Sequence, residues 1–413
     1  MNSSPGAKTA FVRWRIVLLL AGFAFLAHFN RISVTVAGNE AFIGPGRLDA
    51  EQMGQVYSAF LFIYTIGMLP GGWLIDRIGP RRALTVMGLG LGFWAAVTGG
   101  LGWSGLSIAA LFVPLLVIRG LAGAASVPLH PAAARAVSLS MPLRERSTAN
   151  GIITAGALLG IAFCYPIFGL FMTQIGWPDA FVMSGAILFV YTFLWHVLTR
   201  ENAGNEGDEP TPSTSAGLRE VIGLFGNSSL LLLTLSYGAL SYVQYLFFYW
   251  IEYYFKNVLK VSPGASREAA MIITLAMAAG MFLGGGIADR IGRRLGHCWG
   301  CRVMAIAGMG LCAAFSLLGL STANPWTVTT WFALALGALG ACEAIFWTTA
   351  PLLERNGGLA CALVNTGGNG VGMFAPLITP ILGENYGWNS AIVAAGIICG
   401  IGGLLWLGIN ANE

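Results

Sequence analysis

The sequence predicts an all-α integral membrane protein, with twelve transmembrane helices in two pseudo-symmetric six-helix bundles. Three observations carry that expectation. The first is composition: 56% of the 413 residues are hydrophobic and only 10% are charged, with a mean hydropathy of +0.72. A soluble chain averages about 45–50% apolar and about 25% charged residues, so this apolar surplus has no place in a water-facing globule. The second is a succession of apolar runs of about 20 residues, each able to cross a hydrocarbon core of about 30 Å as a helix. The third is a polar and basic sequence that recurs half a chain later. Disordered, collagenous and disulfide-scaffold classes are excluded by the low charge, the aperiodic glycines and the presence of just seven cysteines.

The runs are taken in order. The first four cover 14–36, 52–75, 83–103 and 107–131. The fifth and sixth cover 147–172 and 179–198. Within the fifth, Gly156 and Gly160 form a small-x-x-x-small step suited to close helix packing. After a polar gap come 228–254, 269–288, 302–321, 328–350, 360–383 and 388–409. Helices are expected throughout, because lipid offers backbone polar groups no partner and the period-two alternation of a membrane barrel is absent. The first run is too long for the apolar region of a cleavable signal and lacks a small-residue cleavage site.

The distribution of Lys and Arg sets the orientation. With the N-terminus inside, the cytoplasmic side receives Lys8, Arg13, Arg15, Arg77, Arg81, Arg82, Arg135, Arg144, Arg146, Arg200, Arg219, Arg290, Arg293, Arg294, Arg302 and Arg355. The outer side receives only Arg47, Lys256, Lys260 and Arg267. The positive-inside rule therefore predicts that both termini are cytoplasmic. Residues 200–220, rich in Gly, Pro, Ser, Thr and acids, are too polar to build a core and are expected to be a cytoplasmic linker between a bundle at 1–199 and another at 221–413. The repeat marks the same division. Gly72-Trp73-Leu74-Ile75-Asp76-Arg77-Ile78-Gly79-Pro80-Arg81-Arg82 is echoed by Gly285-Gly286-Ile287-Ala288-Asp289-Arg290-Ile291-Gly292-Arg293-Arg294, with Asp289 lying 213 residues after Asp76. Two homologous halves enclosing a cavity are the expected arrangement.

The pattern G-x-x-x-D-R-x-G-x-R-R, complete at residues 72–82 and repeated at 285–295 with Leu295 in place of the last arginine, resembles the signature loop of the major facilitator superfamily. The resemblance implies a cytoplasmic gate built on Gly72, Asp76, Arg77, Gly79 and Arg81 in one half and on Asp289, Arg290 and Arg293 in the other. There the aspartates would cap or pair with neighbouring helix ends and arginines. Arg119-x-x-x-Gly123-x-x-x-x-Pro128, Pro131, Pro142 to Ser147, Asn30-Arg31, the Tyr-rich seventh run and Asn365 to Gly370 are similar to the anion:cation symporter branch. That branch includes sugar-acid permeases and sialin-like and vesicular glutamate carriers. Where the branch commonly has acids, this chain has Asn30 and Ser126. Uniport, exchange and proton symport through a relocated acid therefore all remain open.

Arg31 and Arg119 are the only arginines deep inside the runs, Arg15 and Arg302 standing at run ends. A guanidinium at the centre of a membrane helix costs about 2.5–3.5 kcal/mol on the insertion scale, so it normally faces a cavity or a partner. Its planar fork matches a carboxylate, which makes the two natural clamps for a small organic anion, or else a structural lock between helices. Tyr242, Tyr245 and Tyr249 share a face of the seventh helix, and Tyr242 and Tyr245 join Asn365 and Asn369 as substrate-orienting candidates or as packing groups. For proton coupling the candidates are Glu343, deep in the tenth run, with His28 and His130. Glu252 is expected to be a solvated residue at the outer mouth.

Cys298-Trp299-Gly300-Cys301 has no second metal-ligating pair, so no metal and no cofactor are expected. There is no phosphate-cradling glycine loop, no nucleophile–base pair and no aromatic-interleaved basic surface, so neither ATP-driven transport, an enzyme nor a nucleic-acid partner is expected. The expected function is alternating-access transport of a small organic anion such as a sugar acid by a monomer. The absence of long loops fits a bacterial inner membrane. The alternatives are an exporter of hydrophobic or cationic compounds with Glu343 as its central charge, and a membrane sensor.

Overall fold

The computed structural model describes residues 5–199, 223–354 and 357–410, with side chains described at all of these except 5–12, 69, 72–74, 76, 143–144, 147 and 297. The expected linker lies outside the described residues. The helices are α1 (Pro5–Ala37), α2 (Ala50–Ile78), α3 (Pro80–Gly100), α4 (Phe112–Ser126), α5 (Leu129–Ser140), α6 (Leu143–Leu198), α7 (Ser228–Tyr253), α8 (Pro263–Leu295), α9 (His297–Gly319), α10 (Pro325–Thr349), α11 (Gly357–Gly372), α12 (Ala375–Tyr386) and α13 (Trp388–Leu404). Each apolar run of the sequence corresponds to one of these helices, to a pair of them or to part of one. Nine described stretches are long and apolar enough to cross a membrane; Thr148–Leu198 counts as one of them although it contains two runs.

Three runs differ from a simple rod. The fourth breaks after Ser126, where Pro128 follows, and continues as α5 to Ser140, nine residues beyond the expected end. The eleventh breaks at Met373–Phe374, ahead of Pro376. Proline supplies no N–H to the preceding turn and crowds it, so each break falls next to one. The fifth and sixth runs join in α6 across Gly176, whose φ of 81° turns the chain just before Pro178.

Helix starts follow local chemistry. Asn227, Ser262 and Asn324 each accept an N–H of the first turn, at Leu230, at Ala265, and at Trp326 and Thr327 respectively. Pro263 and Pro325 occupy first-turn positions, where an absent N–H costs nothing.

Large apolar side chains cover the outer faces of the helices: Phe282 is 87% exposed and Phe193 68%. In water such surfaces would drive aggregation, whereas in lipid they are matched to the solvent. Close packing inside is built on glycine. A Cβ at Gly156 or Gly160 would collide with the carbonyl oxygens of Ala21 and Phe25 on α1, so α6 can approach α1 only with hydrogen at those positions.

Contacts divide the described residues into two units. One combines those of Met1–Leu48 and Ala59–Ser213, the other those of Asp49–Ser58 and Thr214–Glu413. The units repeat one packing solution. Gly123 of α4 sits where a Cβ would strike the carbonyl oxygen of Phe60 on α2, and Gly340 of α10 stands in the same relation to Met277 on α8. Both residues of the second pair lie 217 positions after their counterparts in the first.

Candidate functional site

In the first unit, the break between α4 and α5 and the approach of α4 to α2 bring four of the expected residues into adjoining cavities. Arg119, 5% exposed, donates from Nη2 to the main-chain oxygen of Arg31 at 3.0 Å. Both guanidinium groups lie over the ring of Phe60, with Arg119 Cζ 4.8 Å and Arg31 Cζ 5.4 Å from its centroid; Arg31 also lies 5.9 Å from the ring of Tyr64. Cation–π contacts of this kind hold charge in a low-dielectric surrounding without neutralising it. Asn30, Arg31, Trp94, Thr98 and Arg119 help to line a cavity of about 10 Å³, room for about one water molecule. Among the described residues that line it there is no Asp or Glu.

A second cavity of the same size is lined by His28, Arg31, Phe60, Tyr64, Ser126 and His130, among others. The two imidazole rings meet edge to face with centroids 5.4 Å apart. Nothing in the sequence shows that the two histidines meet. The tertiary fold pairs them because α5 begins at Leu129, directly after the proline break, and so presents His130 to α1. The positions where carboxylates were missed are occupied by satisfied neutral groups. Asn30 Nδ2 donates to Leu26 O at 3.0 Å and its Oδ1 accepts from Ser184 at 3.1 Å, while Ser126 donates to Ala122 O at 2.9 Å.

The second unit assembles a polar chain from three expected residues. Tyr245 donates to Asn369 Oδ1 at 2.6 Å, and Asn369 Nδ2 donates to Asn365 O at 2.9 Å and to Asn365 Oδ1 at 3.0 Å. Tyr242 is not part of it; it is buried beside Thr379 of α12. Glu343 Oε1 accepts from Tyr237 at 2.8 Å. Tyr237 went unrecognised as its partner, because 106 residues separate them. Phe60, Tyr64, Trp94 and Thr98 were missed for a related reason: ordinary apolar periodicity gives no sign of which face meets an arginine. Glu252 requires a correction. It is fully buried rather than solvated, and the chain continues past α7 through a π-helical turn (Tyr254–Val258) instead of ending in a loop.

The repeated motif is also not a loop in both halves. In the first copy Gly79 has a φ of 77° and separates α2 from α3, with Pro80 opening α3. In the second, Arg293 replaces the proline, so α8 runs on to Leu295 and turns at Gly296, with a φ of 81°. Gly72 and Asp76 have side-chain positions outside the described residues. Arg77 is exposed; Arg81 donates to Thr199 Oγ1 at 3.1 Å and to His196 O at 2.6 Å, tying the start of α3 to the end of α6. Asp289, Arg290 and Arg293 are exposed, with Arg290 donating to Gly286 O of its own helix at 3.4 Å. Asp289 and Arg293 line a cavity of about 320 Å³ together with Cys301 and Thr348.

Comparison with known proteins gives a consistent picture. A family profile described as Major Facilitator Superfamily matches residues 14–351. The chain is 27% identical over 425 residues to a probable galactarate/D-glucarate transporter of Bacillus subtilis (strain 168), covering 95% of this chain and 90% of that protein. It is 26% identical to a probable sulfoacetate transporter of Cupriavidus necator, with 94% and 91% covered, and 26% identical to the D-galactonate transporter of Escherichia coli O6:H1, with 97% and 96% covered. Among solved structures, it resembles a bacterial homologue of the human lysosomal transporter Spinster in an inward-facing, unoccupied conformation. That likeness has a TM-score of 0.74 at 18% identity and covers 99% of this chain and 98% of the other.

Proposed function

The chain belongs to the Major Facilitator Superfamily, and from that premise we propose that it moves a small organic anion, a sugar acid or similar carboxylate, across a bacterial inner membrane by alternating access. In this reading it acts as a monomer with both termini in the cytoplasm, and residues 1–199 and 221–413 are its two moving halves. The observation that carries it is the arginine pair. Two guanidinium groups share the face of Phe60 and line a cavity whose other residues bring no carboxylate. A planar carboxylate complements such a fork, and the water-poor surrounding strengthens the attraction. The names of the relatives, transporters for galactarate, D-glucarate, sulfoacetate and D-galactonate, support the same substrate class. Arg31 and Arg119 clamp the anion, while Tyr245, Asn365 and Asn369 offer hydroxyl and amide groups to a polyhydroxylated substrate. Tyr242, beside Thr379, is a separate candidate for orienting the substrate. Three ionisable side chains inside the membrane are eligible to carry a coupled proton: Glu343, His28 and His130.

The test is uptake into proteoliposomes of D-glucarate, D-galactonate and sulfoacetate, with the pH gradient and the membrane potential imposed separately. Wild type is expected to accumulate at least one of these anions, and Arg31→Ala to lose uptake of all of them while still eluting as a folded protein. Full uptake by a folded Arg31→Ala would sink the anion-clamp reading. Preferential transport of cations, lost in Glu343→Gln, would establish the exporter alternative instead.

A further inference from the structure

The cluster formed by His28, His130 and Arg31 contains two titratable bases and a permanent cation around one water-sized void. His28 Nδ1 lies 2.9 Å from Ala24 O one turn earlier in α1. A carbonyl oxygen only accepts, so Nδ1 carries the hydrogen, and the basic lone pair of neutral His28 is on Nε2. The ring is held by that bond and by its edge-to-face contact with His130, 5.4 Å away. His130 is the second residue of α5, where the positive end of the helix dipole faces it. The charged and titratable groups around the pair are Arg31 from α1 and Tyr64 from α2, and α4 contributes the neutral Ser126. Arg119 of α4 adjoins through the shared Phe60 ring. Among the described residues lining this cavity there is no Asp or Glu.

Electrostatics then links the two ligands. With a carboxylate coupler, protonation removes a negative charge from the site. With an imidazole coupler it adds a positive charge, next to arginine and a helix N-terminus, in a medium where like charges repel strongly. The missing compensation is a negative charge, and an anion clamped at Arg31 supplies it.

We propose that His28 and His130 form a proton-receptive pair that takes up one proton when a carboxylate binds at Arg31, so that anion and proton enter the site together. The inference rests on Arg31 being an anion clamp, and goes beyond it by assigning the coupled proton to the imidazole pair and giving the sign of the coupling. The pair stands in for acids at positions 30 and 126: Nε2 of His28 accepts the proton with the His130 ring edge to face beside it, and departure of the anion expels the proton.

The experiment is calorimetric titration of the full-length purified protein with D-glucarate and D-galactonate near pH 7.5, in two buffers of different ionisation enthalpy, which counts protons taken up per anion bound. Wild type is expected to take up about one proton per anion, and its apparent affinity to strengthen about tenfold for each pH unit lowered between the pair's titration range with anion bound and its lower range in the free protein. The double variant His28→Gln/His130→Asn is expected to bind without proton uptake and with a flat pH profile, its fold being checked by thermal unfolding. Binding by wild type with no proton uptake overturns the proposal without touching the anion reading, and needs no variant. Undiminished uptake in the double variant also overturns it, as does loss of uptake in Glu343→Gln with both histidines intact. Failure of wild type to bind either probe overturns the anion reading, and the proposal with it.

Discussion

At the scale of single residues, the cost of placing charge in a membrane is met by specific partners. Arg119 donates to the Arg31 carbonyl and both guanidinium groups face aromatic rings, contacts that offset part of the about 2.5–3.5 kcal/mol a central arginine costs. Charge alone is not what these positions use. Arg31→Lys keeps the charge and loses the planar fork, so initial-rate uptake should fall by about tenfold or more, with the loss appearing in the apparent KM. A lysine variant that transports at the wild-type rate would mean that Arg31 acts only through its field. Tyr245→Phe deletes the donor to Asn369 Oδ1 and should lower thermal stability by about 1 kcal/mol, the usual net value of such a bond. If Asn369 also contacts substrate, the same variant weakens uptake more than its stability loss explains.

At the scale of elements, glycine and proline decide where helices approach and where they stop. Gly123 and Gly340 let α4 touch α2 and let α10 touch α8 at main-chain distance. Gly123→Val should cost about 1–3 kcal/mol by overpacking and is expected to abolish transport before it abolishes insertion; thermal unfolding and uptake on the same sample separate the two. The start of α2 is clasped within the second unit. Ser58 donates to Met373 O at 2.9 Å, and Tyr57 stacks against Tyr249 and Trp250 at 5.2 and 5.4 Å. Near the start of α2, partial burial and the nearby Asp49 and Glu51 push the Glu384 carboxyl above its ordinary value. A raised acid is protonated more readily in the folded than in the unfolded state. Its penalty is therefore absent below the ordinary carboxyl value and develops as pH rises through the raised one. Glu384→Gln should flatten that decline in melting temperature as pH rises, and an unchanged pH profile would show that water screens the cluster.

At the scale of the whole molecule, hydropathy was sufficient to place the chain in a bilayer. Cytoplasm-restricted reporters fused at either terminus should both be active; activity at only one would overturn the orientation drawn from Lys and Arg placement. The spans, the repeat and the family were legible because each depends on sums over local sequence: about 20 apolar residues make a span whatever they contact, and a duplicated motif survives in one dimension. Arg31 and Arg119 were legible for the same reason, since an ionised side chain in an apolar run is costly wherever it points. The partners were not legible. Tyr242 and Tyr245 are three residues apart, yet one lies beside Thr379 and the other donates to Asn369, because a helix turns about 100° per residue and each tyrosine meets a different neighbour. The two motif copies read alike, and one proline made a break in the first that the second lacks. Glu252 stands at the end of a run, where sequence suggests water, and the fold buries it. His28 and His130 became a pair only because a proline break ends one helix and starts another beside α1. The sequence determined which groups must be satisfied inside the membrane, and tertiary structure decided by what, since satisfaction depends on distances between helices that no local pattern encodes.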